Sequence, residues 1–303
     1  MISLKQLHYA LAIEKTLHFK RAAEACNVSQ SALSTAINEL EKQLDTTIFE
    51  RNNKQVLVTN NGQLILEKAK RVKLEVDELL QVSQINKQPF SSAMTLGVIP
   101  TIGPYLLPKV LPEVRKQYPS FKLKIIEEQS HVLVELVRTG EIDAAILALP
   151  YPIEGLMSFD FWQEDFYWVC HKEECPERVK EITTDELEIE KLMLLKDGHC
   201  LKEHALAACQ LQNKKQDSDF DSASLHTLIQ MVAGKLGTTL VPQMALDQLT
   251  YNESELRAIH LNEPGPHRTI ALVIRPNYVR TNELTLLKDI FTEQLTQKCG
   301  SIK

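Results

Sequence analysis

Two cysteines, Cys200 and Cys209, have the residue type, spacing and setting for chemistry. Asp197-Gly198 ends an apolar run at 192–195, and residues 201–208 are good helix formers. Cys200 therefore falls in the first turn of a helix that follows a strand. The unpaired amides and the dipole of a helix N-terminus favour an anion there. His199 adds positive charge or a hydrogen bond, and both influences lower a thiol's pKa. Cys209 lies nine residues on, about 13 Å away along an unbroken helix at about 1.5 Å per residue. A disulfide needs Cα atoms within about 7 Å, so the two pair only if the helix unwinds. Spacing leaves two readings open. One is a redox switch closed by refolding; the other is a pair of partly buried cysteines in an ordinary helix, free Cys being among the most buried residue types.

The rest of the chain has to position that helix. At 303 residues it is long enough for two or three domains, and 44% hydrophobic with 24% charged residues is a soluble globular composition. The longest apolar run, 144–149, is far too short to span a bilayer. Charges at Lys5, Glu14 and Lys15 do not fit a signal peptide. A cytoplasmic protein with no membrane contact is expected. Six irregularly spaced cysteines do not read as a secreted disulfide framework. Cys170, His171 and Cys175 offer too few convergent ligands for a metal, so neither a metal site nor a cofactor is expected. Net charge is −6, yet residues 1–87 carry 12 Lys+Arg against 10 Asp+Glu while residues 88–303 carry 22 against 30. That weakly basic start does not by itself identify a nucleic-acid-binding part.

Patterning says more. Leu4, Leu7 and Leu11 form the apolar side of a first helix; Phe19, Ala22, Ala23 and Cys26 recur at helical spacing in a second. Asn27-Val28 breaks it, and Ser29 caps a third helix with Leu33, Ile37, Leu40 and Leu44 inward. Two short helices joined so tightly read as helix-turn-helix. The outward side of the third carries Gln30, Ser31, Ser34, Thr35 and Asn38, neutral hydrogen-bonding groups suited to base edges in a major groove. A merely solvated face is the alternative, but most such faces in this chain are charged. Asn52-Asn53 suits a turn, with Arg51 and Lys54 placed to meet phosphates. Thr59 caps a long helix from residue 60 to about 84, in which Ile65, Ala69, Val72, Val76 and Leu79 mark a heptad seam. Such a helix needs a partner, so it is expected to dimerise the chain; packing on its own body is the alternative.

After a linker at 88–92, strands over 94–99, 121–127 and 143–149 alternate with helices over 106–117 and 132–139, which means a parallel α/β sheet. A second α/β unit follows, with strands over 161–171, 191–195 and 238–241, the Cys200 helix and a helix over 223–233. A strand over 268–274 and a helix over 282–297 close the chain. Ligands in open α/β sheets bind beyond the strand C-termini, here 99–101, 129–131 and the Cys200 turn. Thr101 and Ser130 stand there, either as hydroxyls facing a ligand or as ordinary helix N-caps.

Several of these stretches also resemble one family. Phe19-Lys-Arg-Ala-Ala-Glu, Val28-Ser-Gln-Ser-Ala-Leu-Ser and Glu39-Leu-Glu are similar to the LysR-type helix-turn-helix, and Phe49-Glu-Arg-Asn-Asn-Lys-Gln-Val-Leu-Val-Thr looks like its β-wing. Asp197-Gly-His-Cys-Leu-Lys-Glu-His-Ala-Leu-Ala-Ala-Cys209 resembles the sensor segment of the OxyR branch, which responds to hydrogen peroxide. The segments 99–108 and 267–276 are similar to that branch too. The resemblance implies a winged helix-turn-helix domain (1–59), a linker and dimerisation helix (60–88), and a two-lobed, periplasmic-binding-protein-like α/β effector domain (89–303). Lobe I would hold 89–163 and 267–303, lobe II 164–266. It implies that Cys200 reacts with peroxide and Cys209 then closes an intramolecular disulfide. Thr101, Ser130, His199 and Arg268 would support the peroxide site. It also implies double-stranded promoter DNA as a partner, a dimer through the linker helix, a tetramer through the effector domains, and RNA polymerase as a candidate partner. Departures are Ser31 where many relatives have proline, Thr35 and Asn38 where many have arginine, and Asp219 where some have a histidine. They weaken phosphate attraction, leave the sequence read by the third helix open, and withhold that histidine's role.

Two other functions compete with a peroxide-sensing regulator. One is a regulator of the same family that answers a small-molecule inducer and carries two incidental cysteines. The other is a thiol peroxidase, for which the N-terminal helices have no purpose; no enzyme is therefore expected. A main disulfide between another pair, such as Cys170 with Cys175, after a peroxide pulse, with Cys200 and Cys209 still alkylatable, would favour the inducer-responsive regulator.

Overall fold

In the computed structural model, residues 1–51, 56–82, 88–175, 179–211, 224–250 and 255–299 are described. The chain divides into two units, Met1–Asn86 and Lys87–Lys303.

In the first unit, helices α1 (Leu4–Thr16), α2 (Phe19–Ala25) and α3 (Gln30–Leu44) precede the two-stranded wing β1 (Phe49–Arg51) and β2 (Val56–Val58), and α4 (Asn60–Val82) follows. Each start has a local cause. Ser3 and Gln6 form a capping box on α1, the Ser29 side chain accepts from the Ala32 N–H on α3, and Thr59 Oγ1 accepts from the Gly62 N–H on α4 at 2.8 Å. Asn27, in the left-handed region at φ 54°, makes the turn between α2 and α3. The core joins Tyr9, Ile13, Phe19, Leu33, Ile37 and Leu40 to Leu66 of α4.

Two expectations change here. The buried face of α1 is Gln6, Tyr9, Ala10 and Ile13, while Leu4 is exposed and Leu7 and Leu11 are half-buried at the rim. Gln6, Tyr9, Ala10 and Ile13 recur at i, i+3, i+4 and i+7, one face of the helix, and that face packs inward while the leucines take its rim. The α4 seam is also divided. Leu66 and Ala69 pack on the unit's own body and Lys70 pairs with Glu14 at 3.0 Å, whereas Val72 and Leu79 are 42% and 69% exposed. The unit's own packing thus covers the start of the seam and leaves Val72 and Leu79 in solvent.

The second unit is built on two five-stranded sheets. Its elements run β3 (Met94–Val98), α5 (Gly103–Gln117), β4 (Leu123–Glu127), α6 (Ser130–Thr139), β5 (Ala144–Leu149), β6 (Met157–Glu164), β7 (Phe166–His171), β8 (Glu181–Ile182), β9 (Leu192–Met193), α7 (Cys200–Ala208), α8 (Leu225–Ala233), β10 (Thr238–Pro242), α9 (Gln243–Thr250), β11 (Leu256–Leu261), β12 (Arg268–Ile274) and α10 (Thr281–Cys299). The first sheet has the order β4-β3-β5-β12-β6, the second β8-β11-β7-β10-β9. Strands β3, β4 and β5 are parallel, but β12 runs antiparallel to both β5 and β6. The sheets are therefore mixed, not purely parallel, because the chain leaves the first sheet and returns in the opposite sense.

The expected single strand over 161–171 is two strands. It breaks at Asp165, with β6 in the first sheet and β7 in the second. A β-rich run cannot show from its composition that it changes sheets. Phe90, in the expected linker, is buried between Tyr118 and Phe121 with ring centroids 4.4 Å from each. It is an anchor, since an aromatic ring removes a large apolar area from water.

Candidate functional site around Cys200

The topology brings distant residues to one edge. Thr101 follows β3, Ser130 follows β4, and Pro150 and Tyr151 follow β5, all at the C-terminal ends of parallel strands. Because β12 is antiparallel to β5, its first residue, Arg268, lies at that same end, paired in register with Glu164, the last residue of β6. Helix α7 comes from the second sheet's side of the chain.

Gly198, at φ +95°, makes the turn into α7, and an added Cβ would meet the Gln129 side chain at 2.9 Å. His199 is the N-cap in backbone conformation, without a side-chain capping bond, and Cys200 is the first helical residue. Cys200 is buried, 3% exposed. Burial pushes its thiol pKa up; a hydrogen bond with the Ser130 side chain and the positive charge of Arg268 pull it back, and Glu203 adds a smaller rise. The low pKa expected from the helix N-terminus is thus overturned, since desolvation of a buried thiolate outweighs the groups that favour it. His199 does not supply charge either: burial and Lys196 lower its pKa, so its imidazole is neutral near pH 7.

Arg268 is fully buried. Its Nε and Nη2 each approach Glu164 Oε1 at 2.7 Å, and Glu164 Oε2 accepts from the Met244 N–H at 2.7 Å. The guanidinium also donates to Thr101, through Nη1 to Oγ1 at 3.4 Å and Nη2 to the carbonyl oxygen at 3.3 Å. An ion pair this buried holds its members in place, because removing one partner strands the other at about 3–5 kcal/mol. Thr101 and Ser130 are 3% and 2% exposed, and neither is a cap: Ile102 and Gln129 hold the N-cap positions of α5 and α6. The structure thus brings Thr101, Ser130, Arg268 and Cys200 to one place, with a fixed positive charge and two buried hydroxyls. Thr101 and His199 also line a cavity of about 290 Å³ with Tyr105, Glu127 and His226.

Cys209 is not in that place. It caps the C-terminus of α7, 1% exposed, beside Thr184 and Glu263, with burial again raising its thiol pKa. Cys200 and Cys209 are both free thiols. Cys170 and Cys175 are joined by a disulfide, their Cα atoms 6.0 Å apart.

Two site residues escaped the sequence reading. Glu164 is one; its partner Arg268 is 104 residues away, and no local pattern announces the pair. His204 is the other, and its signal was available: it stands four residues after Cys200, one turn along the same helix face. Its Nε2 bonds the Pro150 carbonyl oxygen at 2.8 Å, and its buried Nδ1 has no partner among the described residues. Burial pushes its pKa down to about 4.

On the first unit, Gln30, Ser31, Thr35 and Asn38 are exposed on α3 and Ser34 is half-buried. Arg51 ends β1; its side chain and Lys54 lie outside the described residues, as does Asp219. Among the described residues no group of three or more His, Cys, Asp or Glu is arranged to hold a metal, and no helix is long and apolar enough to cross a membrane.

The LysR substrate binding domain matches residues 87–296, and the bacterial regulatory helix-turn-helix of the lysR family matches residues 4–63. The chain belongs to the LysR family of DNA-binding transcriptional regulators. It is 37% identical over 290 residues to the HTH-type transcriptional regulator EstR of Acinetobacter baylyi, covering 95% of each chain. It is 33% identical over 294 residues to a hydrogen peroxide-inducible genes activator of Dickeya chrysanthemi, covering 97% of this chain and 96% of the other. Its structure is similar to that of a full-length OxyR variant from Pseudomonas aeruginosa, with TM-score 0.80 and 31% identity over 96% of this chain and 98% of that one.

Proposed function

We propose that this regulator senses hydrogen peroxide through Cys200 and controls oxidative-stress genes in response. The observation that carries the reading is the pocket itself. A single thiol at a helix start lies against the Ser130 hydroxyl and within reach of the Arg268 charge, and Arg268 also holds Thr101. The resemblance of this segment to the OxyR branch, and a relative named for hydrogen peroxide induction, support it.

In this reading Ser130, Thr101 and Arg268 orient peroxide and stabilise the negative charge that develops. The Cys200 thiolate attacks one peroxide oxygen, the O–O bond breaks, and the departing hydroxide takes a proton and leaves as water, so that Cys200 becomes a sulfenic acid. The Cys209 thiolate then attacks that sulfur, a second water leaves, and the disulfide closes. With about 13 Å between the Cα atoms of the intact helix, α7 has to unravel, an order-to-disorder change of the kind that drives switches. The refolded segment disturbs the contacts between effector domains and re-spaces the DNA-binding units. Those units pair through α4, whose Val72 and Leu79 are exposed, and effector domains pair the dimers into a tetramer. Gln30, Ser31, Ser34, Thr35 and Asn38 read base edges; Arg51 and Lys54 meet phosphates. RNA polymerase is the partner at the promoter, and the chain works in the cytoplasm.

The cavity beside Thr101 favours a second reading, a small-molecule inducer, and the relative EstR carries no mention of peroxide in its name. Promoter-DNA protection distinguishes them. The expected result is a footprint that changes on adding peroxide alone and does not change for Cys200→Ser. A footprint that moves only with an added metabolite, and moves equally for Cys200→Ser, supports the inducer.

A further inference from the structure

Cys170 is the penultimate residue of β7, the central strand of the second sheet, where β11 and β10 flank it. The chain then turns back at once. The Glu174 and Cys175 N–H groups both donate to the His171 carbonyl oxygen, at 2.9 and 3.1 Å, and the Glu173 N–H donates to His171 Nδ1 at 3.3 Å. The Glu173 carboxylate pairs with Lys235, which follows α8. Across this hydrogen-bonded turn the two Cα atoms lie 6.0 Å apart, within disulfide range. The two residues also differ in access. Cys170 is wholly buried, with its Sγ 4.0 Å from the Arg257 carbonyl oxygen, while Cys175 is 7% exposed and is the more accessible residue of the two.

We propose that Cys170 and Cys175 form a second redox centre, separate from Cys200 and Cys209, that cycles between dithiol and disulfide without refolding. Oxidation uses a peroxide. The Cys175 thiolate takes one oxygen and the other leaves as water after gaining a proton; Cys170 then attacks the sulfenic sulfur and expels a second water. Reduction uses a dithiol: one of its thiolates attacks Cys175, Cys170 leaves as a thiolate, and the dithiol's second sulfur displaces Cys175 and closes its own disulfide. Two electrons and two protons pass each way. The closed bond staples the end of β7 to its own turn, so the second sheet keeps its central strand while α7 opens.

The test uses the full-length chain with Cys200→Ser and Cys209→Ser, which keeps Cys26, Cys170, Cys175 and Cys299. After reduction, all of these alkylate in denaturant. After peroxide, Cys170 and Cys175 alone are lost to alkylation, a peptide linking them is found by mass, and the far-ultraviolet circular dichroism is unchanged. A dithiol reductant applied to the folded chain restores both thiols. Adding Cys175→Ser leaves Cys170 alkylatable throughout. Both thiols still alkylatable after peroxide would overturn the proposal. So would a bond that native dithiol cannot open, which is a permanent staple, or a loss of helical signal on closing. Because the switch cysteines are absent from this variant, its outcome is independent of the peroxide-sensing reading.

Discussion

Cys200 and Cys209 stand at the two ends of one helix, each in its own buried pocket, while Cys170 and Cys175 stand on a strand end and the turn that follows it. The first pair has a fold between its sulfurs; the second has none. In the proposal above, the bond between Cys170 and Cys175 closes across a turn that backbone hydrogen bonds also hold, so oxidising it changes chemistry and leaves shape alone. A bond between Cys200 and Cys209 requires breaking α7, whose Leu201 and Ala205 are buried. Returning a side chain such as Leu201 to water costs about 1.5–3 kcal/mol, which holds the helix closed until a covalent bond forms. On the peroxide-sensing reading, the regulatory cysteines are thus the ones that do not fit together in the reduced fold.

The comparison breaks most visibly on DNA. Cys209→Ser should still form a sulfenic acid at Cys200 but lose the lasting change in promoter protection, whereas Cys175→Ser should keep it in full. A footprint lost with Cys175→Ser and kept with Cys209→Ser would reverse the two roles.

The pH dependence of the Cys200 reaction is the next largest effect. Burial raises this thiol's pKa, so near neutral pH the thiolate is the minor form. Below that pKa the thiolate fraction grows about tenfold per pH unit, and the neutral His199 adds no opposing trend. The rate of sulfenic acid formation, followed by dimedone trapping between pH 6.5 and 8, should therefore rise steeply without levelling. A rate already flat at pH 7 would mean a low-pKa thiolate, with the helix N-terminus and Arg268 outweighing desolvation.

A smaller effect separates the two regions by stability. His204 is neutral in the fold, its pKa pushed down to about 4, while in the unfolded chain it takes a proton near pH 6.5. The unfolded state thus binds more protons between those values, and stability falls as pH drops through that window. The loss is on the order of 1 kcal/mol at pH 5.5. His204→Gln, which keeps an N–H for the Pro150 carbonyl, should remove that part of the acid loss in urea melts. Hydrogen exchange in the wild type should quicken at 200–209 as pH falls from 6.5, after correction for intrinsic rates, and not at 170–175. Equal acid sensitivity in the variant would show that His204 is not the group responsible.

How much of this was legible in the sequence follows from which features are local. Ser29 and Thr59 announce their caps, Gly198 its turn, and the nine-residue spacing of Cys200 and Cys209 its conflict with disulfide geometry, because each depends on a few neighbouring residues. The Arg268–Glu164 pair, the strand break at Asp165 and the burial of Cys200 depend on which strands end side by side, and no window of sequence holds that. The error over the thiol pKa has the same origin. A helix N-terminus can be read from residues 197–208, but the desolvation that outweighs it comes from a fold that also brings Ser130 and Arg268, distant in sequence, to the sulfur. The sensor segment, the wing and the reader helix were legible by family likeness, which carries long-range information that spacing does not.

The most direct test is a brief, stoichiometric peroxide pulse on the full-length chain, with alkylation, tryptic mapping and far-ultraviolet circular dichroism on the same sample. The predicted result is a new disulfide between Cys200 and Cys209, together with a loss of helical signal matching the unravelling of Cys200–Ala208. A pulse that leaves Cys200 and Cys209 alkylatable, with Cys170 joined to Cys175 as the main disulfide, would contradict it and put the inducer-responsive regulator first.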